Sequence, residues 1–338
     1  MKTNLKTNGQ YDVNFIENTW IDLKDGNKLA ATVWLPTNRN EKFPTILEYI
    51  PYRKRDATAI RDSTMHPFYA SKGYACIRVD MRGSGDSDGI MKDEYLPQET
   101  KDGIEIINWI TKQNWSDGKV GMTGVSWGGI VCLQMAILQP KELKAIIPVH
   151  YSVERYYDDA GYFLGCYPGQ TVGWGALMEG FNLRPPDPLI SGKNWKNKWI
   201  NRLHKTDSFL KIWLSHQQND KYWLKTSISQ NYSKINIPVL AFGGWADCWP
   251  NSVINLLKNI NSKSYGVVGP WGHTYPHMGK PGPAINFLQE SIKFFDTYLK
   301  NKKTNFKDLR LWITKSHRPN SKMIKKNGYW VSLNRNEL

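Results

Sequence analysis

The stretch Lys119-Val120-Gly121-Met122-Thr123-Gly124-Val125-Ser126-Trp127-Gly128-Gly129-Ile130-Val131-Cys132-Leu133 reads as a strand that turns sharply into a helix, with a serine at the bend. Residues 119–123 carry the strand pattern, and residues 127–138 are compact and apolar, as a buried helix is. Between them Gly124-Val125-Ser126-Trp127-Gly128 matches G-x-S-x-G. Glycines on both sides permit the backbone of a strained turn, and the helix N-terminus behind it offers positive dipole and amides to a developing negative oxygen. Ser126 is therefore the candidate nucleophile, and the backbone amide of Trp127 the first candidate donor to an oxyanion. The string alone also fits a structural serine in a Gly-rich turn; the strand before it and the helix after it favour the first reading.

Outward from this elbow, strand patterns alternate with helical ones. Strands are expected at residues 19–23, 28–35, 44–50, 75–80 and 145–149, and a helix over 99–113, where Ile104, Ile107 and Ile110 recur at helical spacing. Alternation of this kind builds an α/β core with a mostly parallel, doubly wound sheet. From about residue 151 the strands stop, tryptophan and tyrosine become dense, and Pro185-Pro186-Asp187-Pro188 breaks the chain. This reads as a helical cap inserted over 151–233. Strand signals return at 238–242 and 264–268, and 284–299 is an amphipathic helix, so the core is expected to span 1–150 and 234–303. Alternation at Leu309 to Thr314 and a second short run near Tyr329 read as two strands that either pair with the core or are the start of a C-terminal β-domain, residues 304–338.

A nucleophilic serine of this topology needs an acid and a histidine later in the chain, in that order, each on a loop after a strand. The strand at 238–242 runs into Gly243-Gly244-Trp245-Ala246-Asp247, and that at 264–268 into Gly269-Pro270-Trp271-Gly272-His273. Asp247 would accept the imidazole N–H of His273, fix its tautomer and steady the imidazolium formed as Ser126 loses its proton. Singly, Asp247 could be a helix cap and His273 a loop residue; together and in this order they read as a triad.

The composition sets limits. Lys and Arg total 45 against 30 Asp and Glu, a formal charge of +15, with 40% hydrophobic residues. The positive residues are scattered, densest between 193 and 211 and between 300 and 326, without a nucleic-acid motif, so solvated lysines are expected rather than a polyanion site. No run of about 18 apolar residues reads as a membrane span, and the first residues are polar, so a cytoplasmic protein without membrane attachment is expected. Cys76, Cys132, Cys166 and Cys248 are widely spaced without a C-x-x-C pair and read as reduced packing residues rather than a disulfide framework or zinc site. No metal or organic cofactor is implied, and the chain leaves room for a homo-oligomer.

Five motifs carry a resemblance: Pro51-Tyr52-Arg53-Lys54, the loop Asp80-Met81-Arg82-Gly83-Ser84-Gly85-Asp86-Ser87-Asp88-Gly89, the GVSWG elbow, GGWAD and GPWGH. The chain resembles the superfamily of cocaine esterases, α-amino-acid ester hydrolases and X-prolyl dipeptidyl peptidases from about residue 16 to 315. The resemblance implies an α/β-hydrolase core, a helical cap and a jelly-roll domain, of which this chain holds only the beginning; an exposed apolar patch is accordingly expected near the C-terminal strand. It implies that the Tyr52 hydroxyl joins the Trp127 amide in the oxyanion hole, where the residues alone would make Tyr52 a buried aromatic. The loop 80–89 is expected to shape the active-site floor, its aspartates building turns rather than binding a metal. Asp158 and Asp159 stand where α-amino-acid ester hydrolases are expected to bind a substrate ammonium, although helix capping or pairing to nearby lysines accounts for them as well. The expected activity is hydrolysis of a small ester, amide or short peptide through an acyl-serine. A dipeptidyl peptidase or β-lactam acylase acting on amine-bearing substrates is the runner-up. A non-catalytic binding scaffold is the competing class, against which the presence together of Ser126, Asp247, His273 and Tyr52 argues.

Overall fold

The computed structural model describes residues 2–38, 40–159, 162, 166–318, 320 and 325–338; Lys322 of the C-terminal lysine-rich stretch lies outside them. In chain order the strands are β1 (Lys2–Leu5), β2 (Val13–Asp22), β3 (Lys28–Pro36), β4 (Phe43–Ile50), β5 (Ala75–Asp80), β6 (Ser116–Val125), β7 (Leu143–Val149), β8 (Val239–Gly244), β9 (Ser264–Gly269), β10 (Leu309–Thr314) and β11 (Gly328–Leu333). The helices are α1 (Ala59–Ser71), α2 (Pro97–Thr111), α3 (Trp127–Leu138), α4 (Gly169–Leu183), α5 (Pro188–Ser191), α6 (Trp195–Lys205), α7 (Phe209–Leu214), α8 (Lys221–Thr226), α9 (Ser252–Asn259) and α10 (Phe287–Leu299). This is the α/β-hydrolase architecture, with helices interleaved among strands that are mostly parallel around the site. The chain divides into two compact units, residues 1–120 with 155–226, and residues 121–154 with 227–338. These boundaries differ from those drawn on sequence, because the cap helices are grouped with the N-terminal strands.

In the first unit the strand order is β1-β2-β3-β5-β4. Pairing is antiparallel through β3 and β5, then parallel between β5 and β4, the two strands that α1 connects. Both β4 and β5 are buried along their whole length, yet Glu48 and Arg78 face each other in register. Their charges are matched inside: Glu48 Oε2 lies 2.7 Å from Arg61, 3.2 Å from His66 Nε2 and 3.7 Å from Arg78, and Asp62 lies 3.6 Å from Arg78. Burial pushes the Glu48 carboxyl upward, but Arg61, His66 and Arg78 outweigh it and hold the group down at about 2. An unfolded-chain glutamate titrates near 4.3, so this stabilisation is complete above about pH 4.5 and is lost as pH falls through about 2. Glu48→Gln is expected to lower stability by about 3 kcal/mol at pH 7, the deficit narrowing to about half of that at pH 3. Urea unfolding at the two pH values checks this, and a loss below about 1 kcal/mol at pH 7 would contradict it.

The loop after β5 fastens the cap helices to this unit. Gly85 has φ 52°, and a Cβ there would lie 2.0 Å from Asp80 Oδ2, so the turn folds directly over that carboxylate. Asp80 accepts the Lys54 amide at 2.8 Å, Asp86 accepts the Asp187 amide at 2.7 Å, and Asp88 pairs with Lys198 of α6 at 2.6 Å. Arg202, fully buried on α6, donates to the carbonyls of Gly85, at 2.8 Å, and Ser87. The loop's aspartates are thus engaged by protein donors.

In the second unit the order is β6-β7-β8-β9-β10-β11. Strands β7 to β10 are mutually parallel, and β11 returns antiparallel to β10. Helix α3 is buried nearly all round, from Trp127 and Ile130 to Met135 and Ala136, which suits a continuous apolar sequence with little amphipathic character. Among the described residues the expected exposed patch at the C-terminus is not found. Strand β10 adds to β9 instead of standing apart, Leu309 and Trp312 are buried, and Trp330 of β11 packs edge-on to Trp312 at 5.4 Å. Trp245 further ties the β8 loop to the carbonyl of Trp312 at 2.7 Å. Among the described large apolar residues of β10 and β11, Tyr329 alone is exposed. No described helix is long and apolar enough to cross a membrane.

Candidate active site

Four successive strands of the second unit, β6 to β9, each run into a loop that carries a polar side chain: Ser126, His150, Asp247 and His273. Catalytic groups of open α/β sheets gather at such strand ends because side chains there leave the packed layers while their backbone remains fixed by the sheet.

Ser126 sits directly after β6 with φ 91° and ψ −110°, a conformation that costs a non-glycine residue about 1–3 kcal/mol. The surroundings over-determine it. Its amide donates to Val149 O at 3.0 Å, and its carbonyl accepts the first helical bond from Ile130 at 3.0 Å. A Cβ at Gly124 would lie 2.7 Å from the Gly128 Cα, so the elbow closes only because both ends of the motif are glycine. The serine is buried at 8% exposure. Trp127, wholly buried, opens α3, and amides of a first helical turn point out of the helix N-terminus.

The GGWAD and GPWGH segments form one interlocked structure. The amides of Trp245 and Ala246 donate to the carbonyls of Gly269 and Trp271 at 2.9 and 3.2 Å, and the Trp271 indole donates back to Gly243 O at 2.9 Å. A Cβ at Gly244 would lie 2.0 Å from Trp271 O, so glycine is required for this close approach. The result brings Asp247 Oδ1 to 2.8 Å from His273 Nδ1. A carboxylate accepts, so Nδ1 bears the hydrogen and Nε2 is left as the basic nitrogen. The His273 ring is 40% exposed and Trp249 stands edge-on to it at 5.3 Å.

Asp247 is more heavily engaged than its sequence context indicated. Besides His273 it accepts the Cys248 amide at 2.7 Å on Oδ1, and Oδ2 accepts from His150 Nδ1. Burial pushes its carboxyl upward, but the hydrogen bonds from His150 and His273 prevail and hold it far below the usual range. It is ionised at every pH at which the protein would work. His150 itself is buried, with a left-handed φ of 47°, and its Nε2 lies 2.8 Å from Thr274 O. Sequence reasoning missed it because a single histidine after a strand belongs to no motif. The available signal was its place: His150 follows β7 as Ser126 follows β6.

The remaining predicted residues belong to the first unit. Tyr52 is half-buried with its ring edge-on to Trp174 at 6.0 Å and tilted on Phe181 at 6.4 Å. Asp159 is paired with Arg155 within one π-helical turn, and Asp158 is half-buried beside it. Arg155, fully buried, also meets Glu94 at 3.1 Å and lies over the Tyr95 ring at 4.3 Å. Burial raises the Glu94 carboxyl despite Arg155 and the Trp174 indole, which donates to it at 2.6 Å. Two cysteines depart from the expected packing role: Cys76 and Cys132 are buried, but Cys166 and Cys248 are exposed.

Two groups among the described residues, His150–Asp247–His273 and Glu48–Asp62–His66, place donor atoms close enough for a cation. In both, hydrogen bonds and ion pairs within the protein already occupy the carboxylates, which accounts for the clustering. A cavity of about 320 Å³ in the second unit is lined by Leu240, Val267, Glu290, Lys293, Phe306 and Arg310, among others. It includes none of the predicted site residues.

Residues 25–275 match the profile of a family described as X-Pro dipeptidyl-peptidase (S15 family). The cocaine esterase of Rhodococcus sp. (strain MB1 Bresler) is 27% identical over 295 residues, covering 79% of this chain and 50% of the relative. Among solved structures, a CocE/NonD family hydrolase from Staphylococcus aureus superposes with a TM-score of 0.75 at 20% identity, covering 95% of this chain and 56% of that one. An aminopeptidase from a marine sediment archaeon, Thaumarchaeota archaeon, superposes with a TM-score of 0.65 at 20% identity, covering 88% and 57%. The chain spans about half the length of the curated relatives it matches.

Proposed function

Because the chain belongs to the X-Pro dipeptidyl-peptidase (S15) family, we propose that it is a serine hydrolase that cleaves an ester or amide through an acyl-Ser126 intermediate. The observation that carries this reading is the 2.8 Å contact between Asp247 and His273 in the same unit as a serine held at a strained strand-to-helix bend. His273 Nε2 takes the Ser126 hydroxyl proton as Oγ attacks the substrate carbonyl carbon, and Asp247 stabilises the imidazolium. Collapse of the tetrahedral intermediate expels the alcohol or amine, which receives that proton from His273. Water, deprotonated by the same nitrogen, then attacks the acyl carbon, releases the acid and returns the proton to Ser126.

For the oxyanion we propose the Trp127 amide, supported by its place at the start of α3, and the Tyr52 hydroxyl, supported by the family motif in which it lies. A phenol can donate to a developing alkoxide without ionising. Tyr52→Phe is expected to lower kcat on a p-nitrophenyl ester about 100-fold with little change in KM; a loss under threefold would remove Tyr52 from the machinery. For a substrate that carries a free amine we propose Asp158 and Asp159 as its carboxylate partners, Asp159 sharing Arg155 with Glu94. The direct test of the whole reading is intact mass after treatment with a fluorophosphonate. One adduct is expected on the wild-type chain and none on Ser126→Ala; a folded wild type that takes no adduct would overturn it.

A further inference from the structure

We propose that His150 is a positioning residue that clamps the loops bearing Asp247 and His273; this rests on the serine-hydrolase reading above. The ring bridges two loops at once. Its Nδ1 is bonded to Asp247 Oδ2, and its Nε2 lies 2.8 Å from the carbonyl of Thr274, the residue after His273. Its own backbone is fixed from both sides: the His150 amide donates to Phe242 O at 2.9 Å, and the preceding carbonyl, Val149 O, accepts the Ser126 amide at 3.0 Å. One buried residue is therefore linked to the elbow, to the acid and to the histidine loop.

The partners decide its protonation. A backbone carbonyl can only accept, so Nε2 carries a hydrogen. Asp247, which already accepts from His273 and Cys248, is an anion and can only accept as well, so Nδ1 carries one too. Both N–H groups of His150 are then spent. With Oδ2 held, the Asp247 carboxylate cannot rotate away from His273, and with Thr274 held, the imidazole cannot drift from the acid. The rings of His150 and His273 stand 5.5 Å apart.

The experiment is steady-state hydrolysis of p-nitrophenyl acetate by the 338-residue chain and its variants, with kcat taken per active site counted by fluorophosphonate labelling. His150→Phe removes both donors and is expected to lose about 100-fold in kcat with KM changed by less than about threefold, and His150→Asn, which keeps an N–H toward Asp247, is expected to recover about tenfold of that loss. A merely structural role would reduce the number of active sites and leave kcat per site unchanged. A kcat per site in His150→Asn equal to that of the wild type overturns the proposal, whether or not His150→Phe folds. Ser126→Ala run alongside separates the two readings: if it is inactive while His150→Asn matches the wild type, only the present inference fails, whereas turnover by Ser126→Ala removes the serine-hydrolase reading itself.

Discussion

Ser126→Ala is expected to reduce ester turnover by roughly 10⁵-fold or more, to the rate left by binding and the oxyanion donors alone. The size of the effect follows from what the hydroxyl does: it is the atom that bonds to the acyl carbon, and no neighbouring group replaces it. The same change leaves the elbow intact. Its geometry is fixed by backbone bonds from Ser126 to Val149 and Ile130 and by the contact between Gly124 and Gly128, none of which involves Oγ. Thermal stability should accordingly match the wild type within about 1 kcal/mol, so a loss of activity cannot be ascribed to unfolding. The decisive comparison is steady-state hydrolysis of a p-nitrophenyl ester beside a calorimetric scan. Activity within tenfold of the wild type would mean that the nucleophile lies elsewhere.

The elements nearest the chemistry were readable because their local sequence has only one comfortable conformation. A G-x-S-x-G turn needs its glycines for close backbone approach, and GGWAD and GPWGH need theirs for the same reason, since Gly244 lies against Trp271 O. Such constraints act over a few residues and leave a visible trace. Helix α1 left none. Its buried positions include Asp62 and His66, which pack into the ion cluster around Glu48 and Arg78, so charged and polar residues interrupt the buried face beside Met65, Tyr69 and Ala70 and blur the apolar recurrence that marks a helix. Pro67 inside the helix obscures it further. Strand β1 is held by pairing with β2 and is largely polar, so it too has no apolar signature.

The Asp158-Asp159 pair shows how a motif-level reading can overlook a neighbour. The sequence places Arg155 four positions before Asp159, a spacing at which side chains of a helical turn meet, and the structure joins them. The C-terminal strands illustrate a second difficulty. Alternation in residues 309–314 identifies a strand but not its partner, and parallel addition to β9 is a long-range choice made by the sheet, with Trp312 covered by Trp330. His150 combines both: a lone histidine acquires meaning only when two loops, 97 and 124 residues further along the chain, fold onto its ring.

Asp247→Asn is expected to lower kcat/KM about 10⁴-fold, more than the loss of one hydrogen bond would give, because four donors converge on that carboxylate. His273 Nδ1, the Cys248 amide and the Cys248 thiol point at Oδ1 and His150 Nδ1 at Oδ2, and an asparagine side chain offers one accepting oxygen and one donating nitrogen. The oxygen stays on the side of His273 and the fixed Cys248 amide, and the amide nitrogen meets the Nδ1–H of His150, donor against donor, while that ring is held through Thr274 O. The defect is thus one of lost charge behind the His273 imidazolium and of a displaced clamp, and it should appear as an equally slow fluorophosphonate reaction with the fold preserved. His150→Asn together with Asp247→Asn tests the reasoning. The carboxamide oxygen introduced at position 150 can accept from the nitrogen at position 247, so the double variant is expected to recover part of the activity that Asp247→Asn loses. Strictly additive losses would mean that His150 does not act through residue 247.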